Sequence, residues 1–260
     1  MDLTNDKIMP ALFVGHGSPM NAIEDNEFSK AWEKIGAELP KPKAILCISA
    51  HWFVNELAIT AMEKPKTIHD FYGFPKELYD VKYPAPGAPQ PAEETHKLLI
   101  DKEAGLNMDW GLDHGTWSVL CRMFPEAAIP TYQLSINSSM PPEYHFEIGK
   151  RIKAFRSKGV LIIGSGNIVH NLPMMKSDNT PYEWAVEFDN KSEQLIYDRD
   201  FESLVNYHNL GKEALLSIPT PDHYFPLLYI LGAASKDEEI NFFAEGLTLG
   251  SISMRSLRIG

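Results

Sequence analysis

The segment VLIIGSGNIVHN, residues 160–171, decides the fold of this chain. Its first four residues are aliphatic, and a short continuous aliphatic run is typical of a strand buried on both faces. The small residues GSG follow, where the backbone can turn sharply, and His170 comes after them. We therefore predict a buried strand at residues 160–163 with a histidine beyond its carboxyl end.

Two earlier segments show the same arrangement. In LFVGHGSP, residues 11–14 predict a strand that precedes His16, and in ILCISAHW, residues 44–49 predict a strand that precedes His51. In α/β sheets, ligands bind beyond the carboxyl ends of the strands. We expect the histidines that follow these three strands to converge at that edge.

Amphipathic helices are predicted between the strands. Asp25 or Asn26 is a candidate cap for a helix in which Phe28, Trp32 and Leu39 recur on one face. Further helices are expected at residues 91–102, 142–157, 184–196 and 227–231, and further strands at residues 57–62, 129–136, 240–243 and 247–252. The alternation predicts an α/β fold: a single domain, residues 1–260, with a central, largely parallel or mixed sheet flanked by helices and an active site at the strand carboxyl ends.

The composition excludes several classes of partner. The chain has 24 Lys and Arg against 35 Asp and Glu, a formal charge of −11 without a basic cluster, so nucleic acid and anionic membranes are not expected partners. The first ten residues lack an apolar signal region, and the longest near-apolar run, residues 224–234, is too short to cross a bilayer. Cys47 and Cys121 lack metal-binding spacing and are expected to be reduced. These features predict a cytoplasmic protein, and the oligomeric state is unknown from the sequence.

Five of the nine histidines stand in contexts that suit chemistry: His16, His51, His114 in GLDHGTW, His170, and His223 in PTPDHYFP. Imidazole is the commonest protein metal ligand and the usual acid or base near neutral pH. Taken singly, a histidine at a strand end is more often an ordinary loop residue, but the joint pattern predicts a metal site with proton-transfer groups around it. The spacing differs from HExxH, so only the tertiary fold can assemble this site.

Other chemical signatures in the chain are incomplete. The GSG before His170 lacks the lysine of a P-loop and the full GxGxxG of a dinucleotide site. GHGSP lacks the GxSxG arrangement that would make Ser18 a nucleophile. His96, His145 and His208 are predicted on solvated polar faces.

Several phrases together resemble one enzyme superfamily. The sequence is similar to the class III extradiol ring-cleavage dioxygenases, the superfamily of the catalytic subunit of protocatechuate 4,5-dioxygenase, and most closely to its 4,5-DOPA extradiol dioxygenase branch. The resemblance covers nearly the whole chain. It rests on phrases in the correct order: MPALFVGHGSPMNAIEDN, ISAHWF, TIHDFYGFP, LYDVKYPAPG, GLDHGTWSVL, QLSIN, HFEIG, GSGNIVHNL and PTPDHYFPLLYILGA.

The resemblance implies roles for the five histidines. His16, His51 and His223 look like the ligands of one divalent metal ion, and His170 resembles the active-site acid/base, with a second possible role as a metal ligand. His114 looks like a second catalytic histidine that also contacts substrate. Better-known members of the superfamily use two histidines and a carboxylate, so His223 stands where the carboxylate would be.

The resemblance also implies the reaction and its participants. A catechol, DOPA or a related compound, would be opened next to the diol with both atoms of O₂ inserted, giving a muconic semialdehyde. Fe²⁺ is expected for this activity, and Zn²⁺ is the alternative ion in purified protein. Trp117, Phe71 and Tyr72 are candidates for the substrate-binding wall, although packing alone explains them equally well.

Three alternatives stay open at this stage. A zinc-dependent hydrolase would use the same histidines around a metal-bound water. A non-catalytic metal-binding protein on the same scaffold would need no open coordination position. His114 can also be read as a core histidine tied to Asp113.

Overall fold

A computed structural model of the chain describes residues 8–260, in which strands and helices alternate along most of the length. The strands are β1 (Ala11–Gly15), β2 (Ala44–Val54), β3 (Ala58–Thr60), β4 (Lys66–Thr67), β5 (Gly105–Asn107), β6 (Gly111–Leu112), β7 (Thr131–Asn137), β8 (Val160–Gly166), β9 (Ile240–Ala244), β10 (Leu247–Thr248), β11 (Ile252–Ser253) and β12 (Ser256–Ile259). The helices are α1 (Glu27–Glu38), α2 (Lys76–Asp80), α3 (Pro89–Leu98), α4 (His114–Met123), α5 (Pro142–Ile152), α6 (Glu183–Tyr197), α7 (Phe201–Val205), α8 (Lys212–Ser217) and α9 (Phe225–Gly232).

Eight strands form one mixed sheet in the order β5-β3-β7-β2-β8-β1-β12-β9. Its centre is parallel, because β8 pairs with β1 on one side and β2 on the other, and β7 pairs with β2. Antiparallel pairing adds β12 and β9 at one edge and joins β3 to β7 at the other. The predicted single-domain α/β fold with a largely parallel or mixed sheet is confirmed.

The pairing register brings the ends of β1, β2 and β8 to one edge of the sheet. Val14 and Ser49 both align with Ser165, and Gly15 aligns with Gly166. Because the three strands run in the same direction, the residues that come next along β1 and β2 lie at a common edge.

Helices cover both faces of the sheet, as continuous aliphatic strands require. On one face, Phe13, Leu46 and Ile162 share an apolar cluster with residues of α3, α5 and α9. On the other face, Leu12 and Ile163 share a cluster with residues of α1 and α4. The alternation along each strand follows from the period of two residues.

The structure extends the predicted strands β2 and β8 and adds a helix that the sequence interpretation missed. Strand β2 continues to Val54, so His51 lies inside a strand rather than after it. No helix was predicted in the GLDHGTW segment, whose last four residues begin α4. Asp113 caps this helix by accepting a hydrogen bond from the backbone N–H of Thr116. The glycine and aromatic residues of the segment hid this helix start.

Other differences are shorter in extent. The predicted strand at residues 247–252 is two short strands, β10 and β11, because Leu249 and Gly250 have φ values of 50° and 76° and turn the chain. The predicted helices at residues 91–102 and 142–157 end at Leu98 and Ile152, and 3-10 turns follow. Strand β12 and the short helices α2, α7 and α8 were not predicted.

One predicted surface histidine is a core residue. His145 is completely buried, because it lies three and seven residues before Ile148 and Ile152 on the buried face of α5. Its Nδ1 lies 2.9 Å from the hydroxyl of Tyr229. The solvated face predicted for His208 is confirmed by its exposed side chain. No helix within residues 8–260 is long and apolar enough to span a membrane.

Candidate metal centre and active site

The carboxyl ends of the central strands assemble the predicted histidines. His16 follows β1 directly, and His51 lies on β2 two residues beyond Ser49, which is the last residue of β2 that pairs with β8. The His51 side chain therefore leaves the sheet at the edge where β1 ends. The Nε2 atoms of His16 and His51 lie 3.2 Å apart.

The small residues at the end of β8 allow His223 to lie at the same edge of the sheet. The backbone N–H of Asn167 donates to the carbonyl of His223 at 2.8 Å. A Cβ atom on Gly166 would lie 2.1 Å from that carbonyl oxygen, so only glycine allows this approach. The small residues after the strand thus bring the segment before α9 against the sheet edge.

The rings of His16, His51 and His223 form a nearly equilateral triangle. Their centroids are 5.1 Å apart for His16 and His51, 5.2 Å for His16 and His223, and 5.1 Å for His51 and His223. A metal ion about 2.1 Å from each Nε2 lies about 3.2 Å from each centroid, so tetrahedral angles give centroid separations of about 5.2 Å. The observed triangle matches this geometry.

An oxygen atom lies close to the Nδ1 atom of each of these three imidazoles. His16 Nδ1 lies 3.0 Å from the hydroxyl of Ser165, which itself donates to the carbonyl of Gly115 and therefore accepts from the ring. His51 Nδ1 lies 3.2 Å from Asp70 Oδ2, and His223 Nδ1 pairs with the carboxylate of Asp222. A proton on each Nδ1 leaves each Nε2 with a free lone pair, as in metal-binding histidines oriented by outer hydrogen bonds.

Burial favours the neutral form of two of these imidazoles. It lowers the pKa of His16 and of His223 well below the ordinary value, and the charges of neighbouring histidines lower both pKa values further. Neutral imidazole is the form that binds metal. The donor set, the ring triangle and the free Nε2 atoms therefore fit one divalent metal ion.

The distances between ligand atoms give two groupings, and neither is the triangle of His16, His51 and His223. Ligand atoms of His16, His51 and His114 lie within 4.8 Å of one another and can hold one metal ion, and ligand atoms of His170, Asp222 and His223 do the same. Ring geometry separates these possibilities. The centroids of His51 and His114 are only 3.7 Å apart, and two such rings would subtend about 70° at a shared ion, far below the tetrahedral angle.

His114 occupies the first position of α4, next to the metal-binding geometry. Its backbone N–H donates to Asp70 Oδ1 at 2.9 Å, and its Nδ1 lies 3.0 Å from Asp70 Oδ2 without the angle of a hydrogen bond. Burial and the charge of His51 lower the pKa of His114, while Asp70 opposes this shift. His114 is buried, as the alternative of a core histidine expected, but its side chain lies against Asp70 and not Asp113, which caps α4 and accepts a hydrogen bond from Ser49.

His170 lies on the opposite side of the cluster. Its ring stacks on that of His223 with centroids 3.4 Å apart and planes 7° from parallel. Burial lowers the pKa of His170 to about 4, although the charge of Asp222 opposes the shift. A neutral imidazole at this position can accept a proton at neutral pH.

The three candidate aromatic residues have different environments. Phe71 is half-buried and meets the His114 ring edge to face at 5.4 Å. Trp117 is completely buried, and its indole N–H donates to the carbonyl of Ile68 at 2.7 Å. Tyr72 is 92% exposed. Phe71 is the one of the three that contacts a candidate histidine while half-buried, and the substrate-binding role of all three stays a prediction.

Sequence reasoning missed the three residues that orient the imidazoles. Asp222 directly precedes His223 in PTPDHYFP, and Asp70 stands in TIHDFYGFP, so an acidic residue near a histidine was the available signal. Ser165 lies between two glycines and carried no chemical signal. The pairing of Asp70 with histidines 19 residues before and 44 residues after it depends on the fold.

The fold and site define a metal-dependent α/β enzyme with an imidazole site at the carboxyl edge of its sheet. The chain belongs to the family described as the catalytic LigB subunit of aromatic ring-opening dioxygenase, whose model matches residues 10–256. The predicted family resemblance and enzyme class are therefore confirmed.

Individual relatives agree with this family. A protein of Escherichia coli strain K12 named 4,5-DOPA dioxygenase extradiol is 49% identical, and the match covers 97% of this chain and 95% of the relative. A protein of Beta vulgaris with the same name is 36% identical, with 98% of each chain covered. The crystal structure of an uncharacterized protein from Escherichia coli K12 is similar with a TM-score of 0.84 and 44% identity, covering 97% of this chain and 100% of that one.

Proposed function

We propose that this protein opens the ring of DOPA or a related catechol next to the diol and inserts both atoms of O₂, giving a muconic semialdehyde. The names of the relatives from Escherichia coli and Beta vulgaris support this substrate class. The observation that carries the proposal is the ring triangle of His16, His51 and His223, in which an oxygen atom lies close to each Nδ1. A cytoplasmic location belongs to the proposal and is supported by the two free cysteines.

The proposed metal ligands are the Nε2 atoms of His16, His51 and His223. Three protein ligands leave positions open for substrate, as a catalytic site requires. Ferrous iron, when bound, supplies the redox-active centre at which catecholate and O₂ meet, which zinc cannot do because its d shell is full. We assign Fe²⁺ to the active enzyme and treat Zn²⁺ as an ion that the same imidazoles bind in purified protein.

His170 is the proposed acid/base rather than a fourth ligand. Its stacking on His223 at 3.4 Å would give an angle of about 65° between the two rings at one ion, too acute for shared coordination. As a neutral base it accepts the proton of a catechol hydroxyl. As the resulting acid it returns that proton to the oxygen that leaves when the O–O bond breaks.

His114 and Phe71 form the other side of the proposed substrate pocket. Asp70 fixes the His114 backbone and faces its Nδ1, so Nε2 is the ring atom left for substrate. With the Nδ1 proton facing Asp70, the neutral ring presents an Nε2 lone pair that accepts a hydrogen bond from a substrate hydroxyl. Phe71 supplies an apolar edge for the catechol ring.

Anaerobic reconstitution with Fe²⁺, followed by O₂ uptake and absorbance assays over a catechol panel that includes DOPA, tests the function. We expect one O₂ consumed per catechol and a new absorbance from the semialdehyde. No uptake across the panel with full iron loading would contradict the proposal. Hydrolysis without O₂ would indicate a zinc hydrolase, and metal binding with no catechol binding would indicate a non-catalytic protein.

Two substitutions separate the proposed roles of the histidines. His51→Ala should lose the metal, because it removes one of the three proposed ligands. His170→Ala should retain iron and bind catechol, while kcat falls by about 10²- to 10⁴-fold, the usual contribution of general acid–base catalysis. His208→Ala, at an exposed position, is the matched control. Loss of iron from the His170 variant would make His170 chiefly a ligand.

A further inference from the structure

A second cleft lies at the far end of α9 from the histidines. It has a volume of about 610 Å³ and is bordered by α5, by α7 and by the segment that follows α9. His223 lies two residues before α9, whereas Gly232, its last residue, lines the cleft. Eight helical residues span about 12 Å, so the cleft is separate from the metal centre.

The cleft is basic although the chain carries a charge of −11. Lys150, Lys153, Arg199 and Lys236 line it, and no aspartate or glutamate does. Lys150 pairs with exposed Glu147. Within residues 8–260, no carboxylate lies within 4.0 Å of the charged nitrogens of the other three, so three positive charges are left without an acidic partner.

Backbone carbonyls hold two of these cations in place. The Lys153 ammonium donates to the carbonyl of Ala234 at 3.0 Å. The Arg199 guanidinium donates to the carbonyls of Ser235 and Glu238. A carbonyl accepts a hydrogen bond but leaves the positive charge uncompensated, and both side chains retain further N–H donors. The Glu238 carboxylate is already bound by Arg156.

Apolar side chains form the rest of the wall. The rings of Phe146 and Phe201 meet edge to face with centroids 6.3 Å apart, and Leu231 completes the surface. Lys150 Nζ lies 4.8 Å from the centre of the Phe146 ring. Fixed cations beside an aromatic wall suit a ligand that has one anionic group and an apolar body.

We propose that this basic cleft is a binding site for a small organic anion, an aromatic or branched aliphatic carboxylate. The carboxylate pairs with Lys153 and Lys236, and the apolar body lies against Phe146 and Phe201. The volume falls within the usual range of small-molecule sites. An acidic peptide would need a longer groove, and a bare inorganic anion would leave the aromatic wall without a partner.

The test uses 2-naphthoate as the probe on full-length protein loaded with diamagnetic Zn²⁺. Binding is followed by NMR at the backbone amides of Gly232 and Ser235, which separates this cleft from the histidines. Two control compounds are 2-naphthamide, which has the same shape without charge, and inorganic phosphate, which has charge without an apolar body. We expect naphthoate to bind at least about tenfold more tightly than either, the factor expected from one charge-assisted contact.

Variants of the lining lysines complete the test. Lys153→Gln combined with Lys236→Gln should weaken naphthoate binding by about tenfold or more, while Lys64→Gln, an exposed lysine outside the cleft, should leave it unchanged. The proposal is overturned by any of three results: no amide shift with naphthoate at about 10 mM, naphthamide or phosphate binding equal to naphthoate binding, or binding that the double variant does not weaken.

Discussion

Replacing Asp70 with asparagine tests whether one carboxylate organises two histidines of the metal centre. Its Oδ2 lies 3.2 Å from His51 Nδ1 and 3.0 Å from His114 Nδ1, and its Oδ1 accepts the backbone N–H of His114 at 2.9 Å. Asparagine has nearly the same shape but no charge. The substitution therefore retains the packing and removes the electrostatic support of both imidazoles.

The expected magnitude follows from the environment of the carboxylate. The Asp70 side chain is 19% exposed. Burial raises its pKa, but the adjacent imidazoles of His114 and His51 outweigh burial and hold the pKa well below the ordinary value. Asp70 is thus ionised at neutral pH. Carboxylates that orient metal-binding histidines contribute about 10- to 100-fold in metal affinity, which is about 1.4 to 2.7 kcal/mol. We expect Asp70→Asn to weaken metal binding by this amount.

Metal dissociation constants from competition with a chromophoric chelator measure this effect. The matched control is Asp80→Asn, which removes a carboxylate ten residues away that is 60% exposed and pairs with Lys76. Thermal unfolding of both metal-free variants shows whether the fold is retained. A dissociation constant for the Asp70 variant within about threefold of the parent would refute the orienting role.

Three further substitutions test the protein core. Burial lowers the pKa of His145 to about 4, so between pH 6.5 and 4 the unfolded chain takes up a proton that the folded chain does not. Metal-free protein should therefore lose about 3 kcal/mol of its free energy of unfolding from this residue over that pH range. His145→Gln should make that loss shallower in urea titrations, and an unchanged slope would contradict the assignment. Asp189→Asn should lower the free energy of unfolding in urea by about 3 kcal/mol, because it removes the closest partner of the buried Arg255 guanidinium, which lies 2.7 Å from Asp189. A decrease below about 1 kcal/mol would show that other carboxylates replace Asp189. Gly149→Ala should lower the unfolding temperature markedly, since the new Cβ would lie 2.3 Å from the carbonyl of Tyr229, and an unchanged temperature would show that α5 and α9 can move apart.

The sequence predicted the central strands because their signal is local. Continuous aliphatic runs before His16, His51 and His170 require burial on both faces, and the observed sheet provides it. Helix α4 was missed because its first turn carries glycine and aromatic residues, which weaken the helical pattern. His145 was misplaced because Glu143 and Glu147 flank it in the sequence, although Ile148 and Ile152 lie on the same helical face.

The candidate site was also predicted only in part from the sequence. The sequence identified which histidines to consider, and the fold brings all five together through rings 3.4 to 5.8 Å apart. Their roles stay predictions. Tyr72 and Trp117 were candidates for substrate contact on aromatic character alone, which does not distinguish an exposed ring from a buried one. Exposure depends on packing between distant segments.

The sequence by itself determined the α/β class, the strands that end in small residues, and the set of imidazoles that follow them, because side-chain pattern and residue type are local properties. Only the tertiary structure decided that Asp70, Asp222 and Ser165 lie against the Nδ1 atoms of the three imidazoles. It also showed that the rings of His16, His51 and His223 are about equally spaced, whereas His114 and His170 each lie much closer to one of these rings. The physical reason is that ligand geometry depends on distances of a few ångströms between strands and loops that are remote in the chain.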